Sequence, residues 1–316
     1  MSSPFLRPCI SSPPCYRNRG ATAFLLTDTS VLISLAPMAT QNSGKLRMGT
    51  DKLPYYQSPP VAEVICGIQF DPLPGFRSSH FGLFLQAVKD EYPSTEDRPP
   101  IGDFTEIQEG TTAKGEIAVL DMPPLRRVFY LDLSGNFLLQ LQPSRFLANW
   151  RRQTDNDEYP RYSATFGRFI EGWAKFRRFA DESGLEPLNA NQYELTYINH
   201  IEEEEVAFPS GLEHFLPFFA WSAAHSEPFL PDPSSAAIHL AFGLPDGKGR
   251  LHLTIGHGIR PRDKKKIVVA DFTARGPAKS DWSDMESWFS LAHEWIVRGF
   301  TDLTSTEAHK NWRRLQ

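Results

Sequence analysis

The sequence predicts an α+β fold, an antiparallel sheet packed by long helices, and three observations carry that expectation. Short runs with apolar residues at every second position recur along the chain, as half-buried strands require. Two long segments instead space their apolar residues as a helix does. These are Phe166, Phe169, Ile170, Trp173, Phe176 and Ala180 in one, and Met285, Trp288, Phe289, Ala292, Ile296, Gly299, Phe300 and Leu303 in the other. Finally, the order of elements repeats: strand, helix, strands and long helix over residues 52–187, and again over 188–316.

In chain order, the first strand spans 61–70, with Ala62, Val64, Cys66, Ile68 and Phe70 on one face and Glu63 and Gln69 on the other. A helix over 79–92 carries Phe81, Phe84, Leu85, Val88 and Tyr92 as one stripe and stops at Pro93. Residues 93–125 are weakly patterned, with an edge strand expected near 117–120. The stretch 126–150 reads as a hairpin turning at Ser134-Gly135-Asn136, followed by a strand-like run rich in polar groups. One face of this ribbon is expected to organise the fold beneath both long helices.

The first long helix begins at Tyr162 or Ser163 and ends before Gly184, a C′ glycine. A strand over 192–201 alternates Tyr193, Leu195 and Tyr197 against Glu194, Thr196 and Ile198. The four glutamates at 202–205 read as a solvated connection. A short aromatic helix over 211–221, broken by Pro217, precedes strands at 237–244, 250–258 and 266–275, the first two joined by a turn-rich loop. The last long helix covers 284–303. Thr304-x-x-Glu307 then reads as a capping box for a short helix through Trp312. The halves share no clear sequence repeat, so the duplication is an expectation of topology, met equally by a helix-grip or by a saddle of the TATA-box-binding-protein type.

Composition bounds the function. Phenylalanine is abundant, 23 residues, which points to broad buried aromatic layers. The net charge of −5 divides unevenly: residues 1–48 hold Arg7, Arg17, Arg19, Lys45 and Arg47 against Asp28, so the body is strongly acidic. An acidic body argues against non-specific nucleic-acid binding. Three cysteines make no disulfide framework, and Cys66 in an apolar strand reads as a small buried hydrophobe; a reducing, cytoplasmic location follows. No run reaches the length of a membrane span. Residues 1–50 differ from the rest, mixing Pro, Ser, Cys and Arg, with Asp28 interrupting their apolar run. They read as a disordered extension or as upstream sequence before a start at Met48, rather than as a signal peptide. Residues 51–316 are expected to form a single α+β domain.

Several phrases together resemble a family of uncharacterised, sporadically distributed bacterial proteins: YYQSPPVAEVICGIQF (55–70), LQLQPSRFLANWR (139–151), YPRY (159–162), YELTYINHI (193–201) and LAHEWIVRGFTDLTSTEAHKNW (291–312). The resemblance covers roughly residues 52–314 and implies a cytoplasmic single-domain protein. It carries no established activity or catalytic residue, and the family's patchy distribution implies mobile or defence-associated genes.

Motifs for chemistry are missing. His252 and His257, five apart around one strand, point to opposite faces, and His293-Glu294 lacks the second histidine of a zinc-protease helix. There is no nucleophile elbow, Walker loop or dinucleotide-binding glycine pattern. No metal, catalytic residue or cofactor is therefore expected. Two groups remain. Arg145, Asn149, Arg151, Tyr159, Arg161 and Tyr162 are expected to crowd one region, near Asn199 and His200 at a strand end and His293 and Arg298 on the last helix. They read either as ion pairs and caps or as a recognition surface. Arg260, Arg262, Lys264, Lys265 and Lys266 form a basic loop that reads as an anion patch or as solvated charge guarding strand edges. The leading functional expectation is a non-enzymatic protein that binds a protein partner through its free sheet face or a helix-lined groove. The alternatives are a small-molecule binder with a cavity between sheet and last helix, and an enzyme lacking recognisable motifs.

Overall fold

The computed structural model describes residues 52–103, 106, 125–202, 212–219, 229, 236–279 and 282–316. The expected leader, the edge strand near 117–120 and most of the glutamate run lie outside the described residues. The described residues form one compact unit. Its elements are β1 (Val61–Phe70), α1 (Ser78–Val88), β2 (Ser94–Arg98), β3 (Arg127–Leu131), β4 (Phe137–Gln142), β5 (Arg145–Arg151) and α2 (Tyr162–Glu182). There follow β6 (Ala190–Glu202), α3 (Leu212–Phe215), β7 (Ile238–Gly243), β8 (Arg250–Ile259), β9 (Lys266–Pro277), α4 (Trp282–Leu303) and α5 (Thr306–Asn311). No helix among the described residues is long and apolar enough to cross a membrane.

All nine strands join one antiparallel sheet in the order β2-β3-β4-β5-β1-β6-β9-β8-β7. From the central β1–β6 pair, the sheet steps outward through β5, β4 and β3 on one side and through β9, β8 and β7 on the other. α2 packs on β5, β1 and β4, and α4 on β6, β9 and β8. The centre is therefore β1 and β6, not the ribbon 126–150, and that ribbon lies under α2 and under α1, whose Phe84 packs edge-on against Tyr130 at 5.2 Å. β1 and β6 are 10 and 13 residues long and pair with each other and with β5 and β9 on their other edges.

Both long helices lie on one face of the sheet. Val64 and Tyr197, opposite each other across β1 and β6, share it with Cys66, Ile68, Leu195 and Tyr193. The phenylalanines fill the layer between. Phe70 and Phe146 each stack on Phe176, at 5.7 and 5.5 Å between ring centroids, and Phe84 meets Phe176 edge-on. Phe169 of α2 packs on Phe289 of α4 at 5.0 Å, joining the halves. α2 approaches the sheet closely at Gly172, where a β-carbon would stand 2.9 Å from the Leu139 side chain and 3.1 Å from Phe146. Gly184 ends the helix in the left-handed conformation as expected, with φ +63°.

Several boundaries differ from the sequence reading. α1 ends at Val88, one turn before Pro93, and Tyr92 stays buried at the following turn. β2, Ser-Thr-Glu-Asp-Arg, has no apolar alternation to announce it; among the described residues it is an edge strand that pairs only with β3. The third helix is a single turn, Leu212–Phe215. The final helix is capped by Ser305, whose hydroxyl accepts from the Ala308 amide, while the Thr304 hydroxyl donates back to the Phe300 carbonyl.

Residues 55–58 run beside 312–316 as a two-stranded strap. The amide of Tyr55 donates to the Gln316 carbonyl, Leu315 to Tyr55, Gln57 to Arg313 and Ser58 to Trp312, at 2.8–3.3 Å. The strap lies against α4 through Tyr56, whose ring packs edge-on to Phe300 and whose hydroxyl bonds Thr301 at 2.9 Å.

Candidate functional site

The side chains expected to crowd around Arg145 are divided between the two faces of the sheet, because strand periodicity sends alternate residues to opposite sides. Arg145, Asn149 and Arg151 of β5 share the face away from the helices. Arg145 is 4% exposed; it donates to Gln69 Oε1 at 2.5 Å and to the Gly102 carbonyl at 3.3 Å, with Glu194 at 3.9 Å. Asn149 belongs to a relay crossing four strands. Arg127 donates to Gln140 at 2.7 Å, Gln140 to Asn149 at 2.8 Å, and Asn149 to Glu63 at 2.6 Å. Burial holds the Glu63 carboxyl above its usual range against the hydrogen bond from Asn149 and the pull of Arg151 and Arg127. Arg151 donates to the Gly135 carbonyl and ties the β3–β4 turn down.

This outer face is crossed at one end of its strands. Gln142 exchanges hydrogen bonds with the Ile101 backbone, Ser144 donates to Asp103, and the Glu106 amide donates to Gln192. The carboxylate of Glu106 lies 2.7 Å from His252 Nε2 and 3.7 Å from Arg250. His200, one residue after Asn199, also points to this side. Burial, with Arg260, Arg262 and Arg152 nearby, lowers its pKa to about 4.

The basic loop is an ion-pair network of its own. Arg260, 6% exposed, holds both oxygens of Asp263 and donates to Glu202 at 2.6 Å. Arg262 pairs with Asp155, and Lys265 with Glu202 at 2.8 Å. These partners hold the Asp263 and Glu202 carboxylates below their usual range. Lys264 and Lys266 are exposed at the tip. Arg298 pairs with Glu294 one turn earlier on α4 and does not line the cavity described next.

Tyr159, Arg161, Tyr162, Asn199 and His293 do converge, on the helix side. They line a cavity of about 500 Å³ bounded by the strap, the start of α2, the end of β6 and α4. Its walls also include Tyr56, Val61, Tyr197, Ile296, Val297 and Phe300. The His293 imidazole stacks on Tyr162 at 4.0 Å and 7°, with Tyr197 6.1 Å away on a tilted plane. Burial lowers the His293 pKa to about 4. Tyr159 donates to the Tyr197 hydroxyl at 3.0 Å, and burial raises the pKa of both phenols. The Tyr162 hydroxyl is buried with no hydrogen-bond partner among the described residues, and its pKa is raised as well. Asn199 donates to the Ala270 carbonyl at 3.1 Å.

Arg161 closes the mouth. It caps α2 with φ +75° and ψ 161°, a conformation that ordinarily belongs to glycine. Its guanidinium donates to the carbonyls of Tyr56 at 2.9 Å and Gln57 at 3.4 Å and lies 4.3 Å over the Tyr55 ring. These contacts fix the strap to α2 and hold the strained backbone in place.

The sequence reading missed Tyr56, Tyr197, Ile296 and Val297. Tyr197 and Ile296 were visible as core positions of a strand and a helix, but nothing in their spacing marks a stripe that faces a void rather than a neighbour. Tyr56 belongs to a Pro-Tyr-Tyr segment with no periodicity at all. In comparisons with known proteins, no family model, no curated protein and no solved structure matches the chain.

Proposed function

We propose that the protein binds a small organic molecule in the cavity between the strap, α2 and α4, and that it does so without catalysing a reaction. The observation that carries this reading is the cavity: its volume lies within the range of small-molecule sites, and its walls are apolar with a few polar groups among them. A helix-grip arrangement, with α4 laid across the sheet, fits such a role. Catalysis is disfavoured by the titration of the groups present. His293 loses its proton near 4, the phenols hold theirs well above neutrality, and burial pushes the Cys66 thiol up. None is poised to trade a proton near neutral pH. A cytoplasmic setting suits the free, buried Cys66.

A protein partner is the weaker reading, since the outer sheet face is already crossed at one end of its strands by Ile101, Asp103 and Glu106, whereas the cavity stands open. A thermal-shift screen of small organic compounds distinguishes the two. Compounds that raise the unfolding temperature of the wild type but not of Val297→Trp, which fills the cavity from α4, support the proposal. A library without a single compound of that kind overturns it.

A further inference from the structure

We infer that the molecule held in this cavity has an apolar body and a hydroxyl group, and that the hydroxyl pairs with the ring edge of His293. The inference rests on the binding role proposed above and names the chemistry of its ligand. His293 is half-buried and lines the cavity. One face of its ring is taken by the Tyr162 stack, and its nitrogens lie at the ring edge, which the stack leaves clear. Neither nitrogen has a hydrogen-bond partner among the described residues; the contacts of the ring are with Tyr162 and Tyr197. Its lowered pKa has burial as its cause, with no bond or charge contributing.

The other polar groups of the wall are engaged or out of reach. Tyr56 bonds Thr301, Tyr159 bonds Tyr197, Asn199 bonds the Ala270 carbonyl, and Arg161 holds the carbonyls of the strap. The Tyr162 hydroxyl is sealed from solvent, while Lys52, Ser163 and Gln316 are fully exposed lining residues. Among the described residues, His293 is left as the half-buried polar group of the wall with its hydrogen-bonding atoms unengaged. Around it Val61, Ile296, Val297 and Phe300 present hydrocarbon, which takes an apolar body. Burial keeps the imidazole neutral, so it offers one N–H and one lone pair. A hydroxyl both donates and accepts, and so meets either nitrogen whichever holds the proton; a carbonyl or ether meets the N–H alone. A carboxylate calls for the imidazolium, which burial disfavours, and an ammonium sheds its hydration for a single lone pair.

The probes for this inference are β-naphthol and β-methylnaphthalene, which share one apolar body and differ by a hydroxyl in place of a methyl group. Both are titrated by fluorescence into the full chain, into His293→Phe and into Val297→Trp, with the unfolding midpoint of each variant as the check on folding. His293→Phe keeps a flat ring against Tyr162 and removes the nitrogens. The expected result is that the preference for naphthol over methylnaphthalene is about fivefold greater in wild type than in His293→Phe. Comparing the two ratios cancels the difference in hydrophobicity between the probes. A second measurement needs no variant: in wild type the nitrogen NMR shifts of the His293 imidazole move on adding β-naphthol and stay in place on adding β-methylnaphthalene. Equal ratios in the two folded proteins, or imidazole shifts that β-naphthol leaves unmoved, overturn the inference and leave the cavity reading standing. Failure of both probes to bind wild type, or undiminished binding to Val297→Trp, overturns the cavity reading itself.

Discussion

The imidazole of His293 lies flat on the ring of Tyr162, with 4.0 Å between centroids and 7° between planes. This stack joins the first turn of α2 to the middle of α4 and forms one wall of the cavity, so the two long helices meet at the candidate site. It also ties the site to pH.

Folded, His293 releases its proton near 4 because burial disfavours the charged ring; unfolded, it does so near 6.5. As pH falls below about 6.5 the unfolded chain takes up the proton first, so stability is lost from there down to about 4. Wild type is expected to lose about 3 kcal/mol more than His293→Phe between neutral pH and pH 4. Urea unfolding of the two proteins at both pH values measures the difference. Equal losses would show that the ring is solvated.

Arg145 is a structural residue in this account. Removing its guanidinium leaves Gln69 and the Gly102 carbonyl without their donor and the buried Glu194 with one fewer positive neighbour. Arg145→Ala should cost about 2–4 kcal/mol of stability. Binding in the cavity, on the other side of the sheet, should be unchanged wherever the variant remains folded. A variant of wild-type stability that has lost ligand binding would return Arg145 to the functional site.

How much was legible in the sequence follows from these two residues. Periodicity revealed β5 and both long helices, because an apolar stripe is a local record of what an element buries. It placed Arg145 and Tyr159 together because they are near in sequence. A two-residue period had already sent Arg145 outward, and the chain between them turns beneath α2. The union of Tyr162 with His293 depends on how two helices lie across one sheet, and neither stripe encodes that. The strap was equally hidden, since its bonds are backbone to backbone between residues more than 250 positions apart.

Arg161 supplies a test of strain. Arg161→Ala and Arg161→Gly both lose the contacts to Tyr55, Tyr56 and Gln57, but only glycine relieves φ +75°. The glycine variant should be more stable than the alanine variant by about 1–2 kcal/mol, and both less stable than wild type. Chemical denaturation of the three proteins gives the order. An alanine variant as stable as the glycine one would show that the cap relaxes.

The seating of α2 is tested by two glycines on the same helix. A methyl group at Gly172 meets Leu139 and Phe146, whereas at Gly167 it meets nothing within 4 Å. Gly172→Ala should lose about 1–2 kcal/mol through overpacking. Gly167→Ala should gain about 0.5–1 kcal/mol from helix propensity. Thermal unfolding of both variants gives the signs, and a stabilised Gly172→Ala would mean that α2 stands further from the sheet.

The central claim is that the cavity beneath the strap is a ligand site, and fluorescence titration of wild type and Val297→Trp with a neutral aromatic dye tests it most directly. The account predicts saturable binding of one dye per wild-type chain, abolished in Val297→Trp although that variant unfolds at the same temperature. Saturable binding that survives Val297→Trp unchanged contradicts it, because the dye would then sit elsewhere.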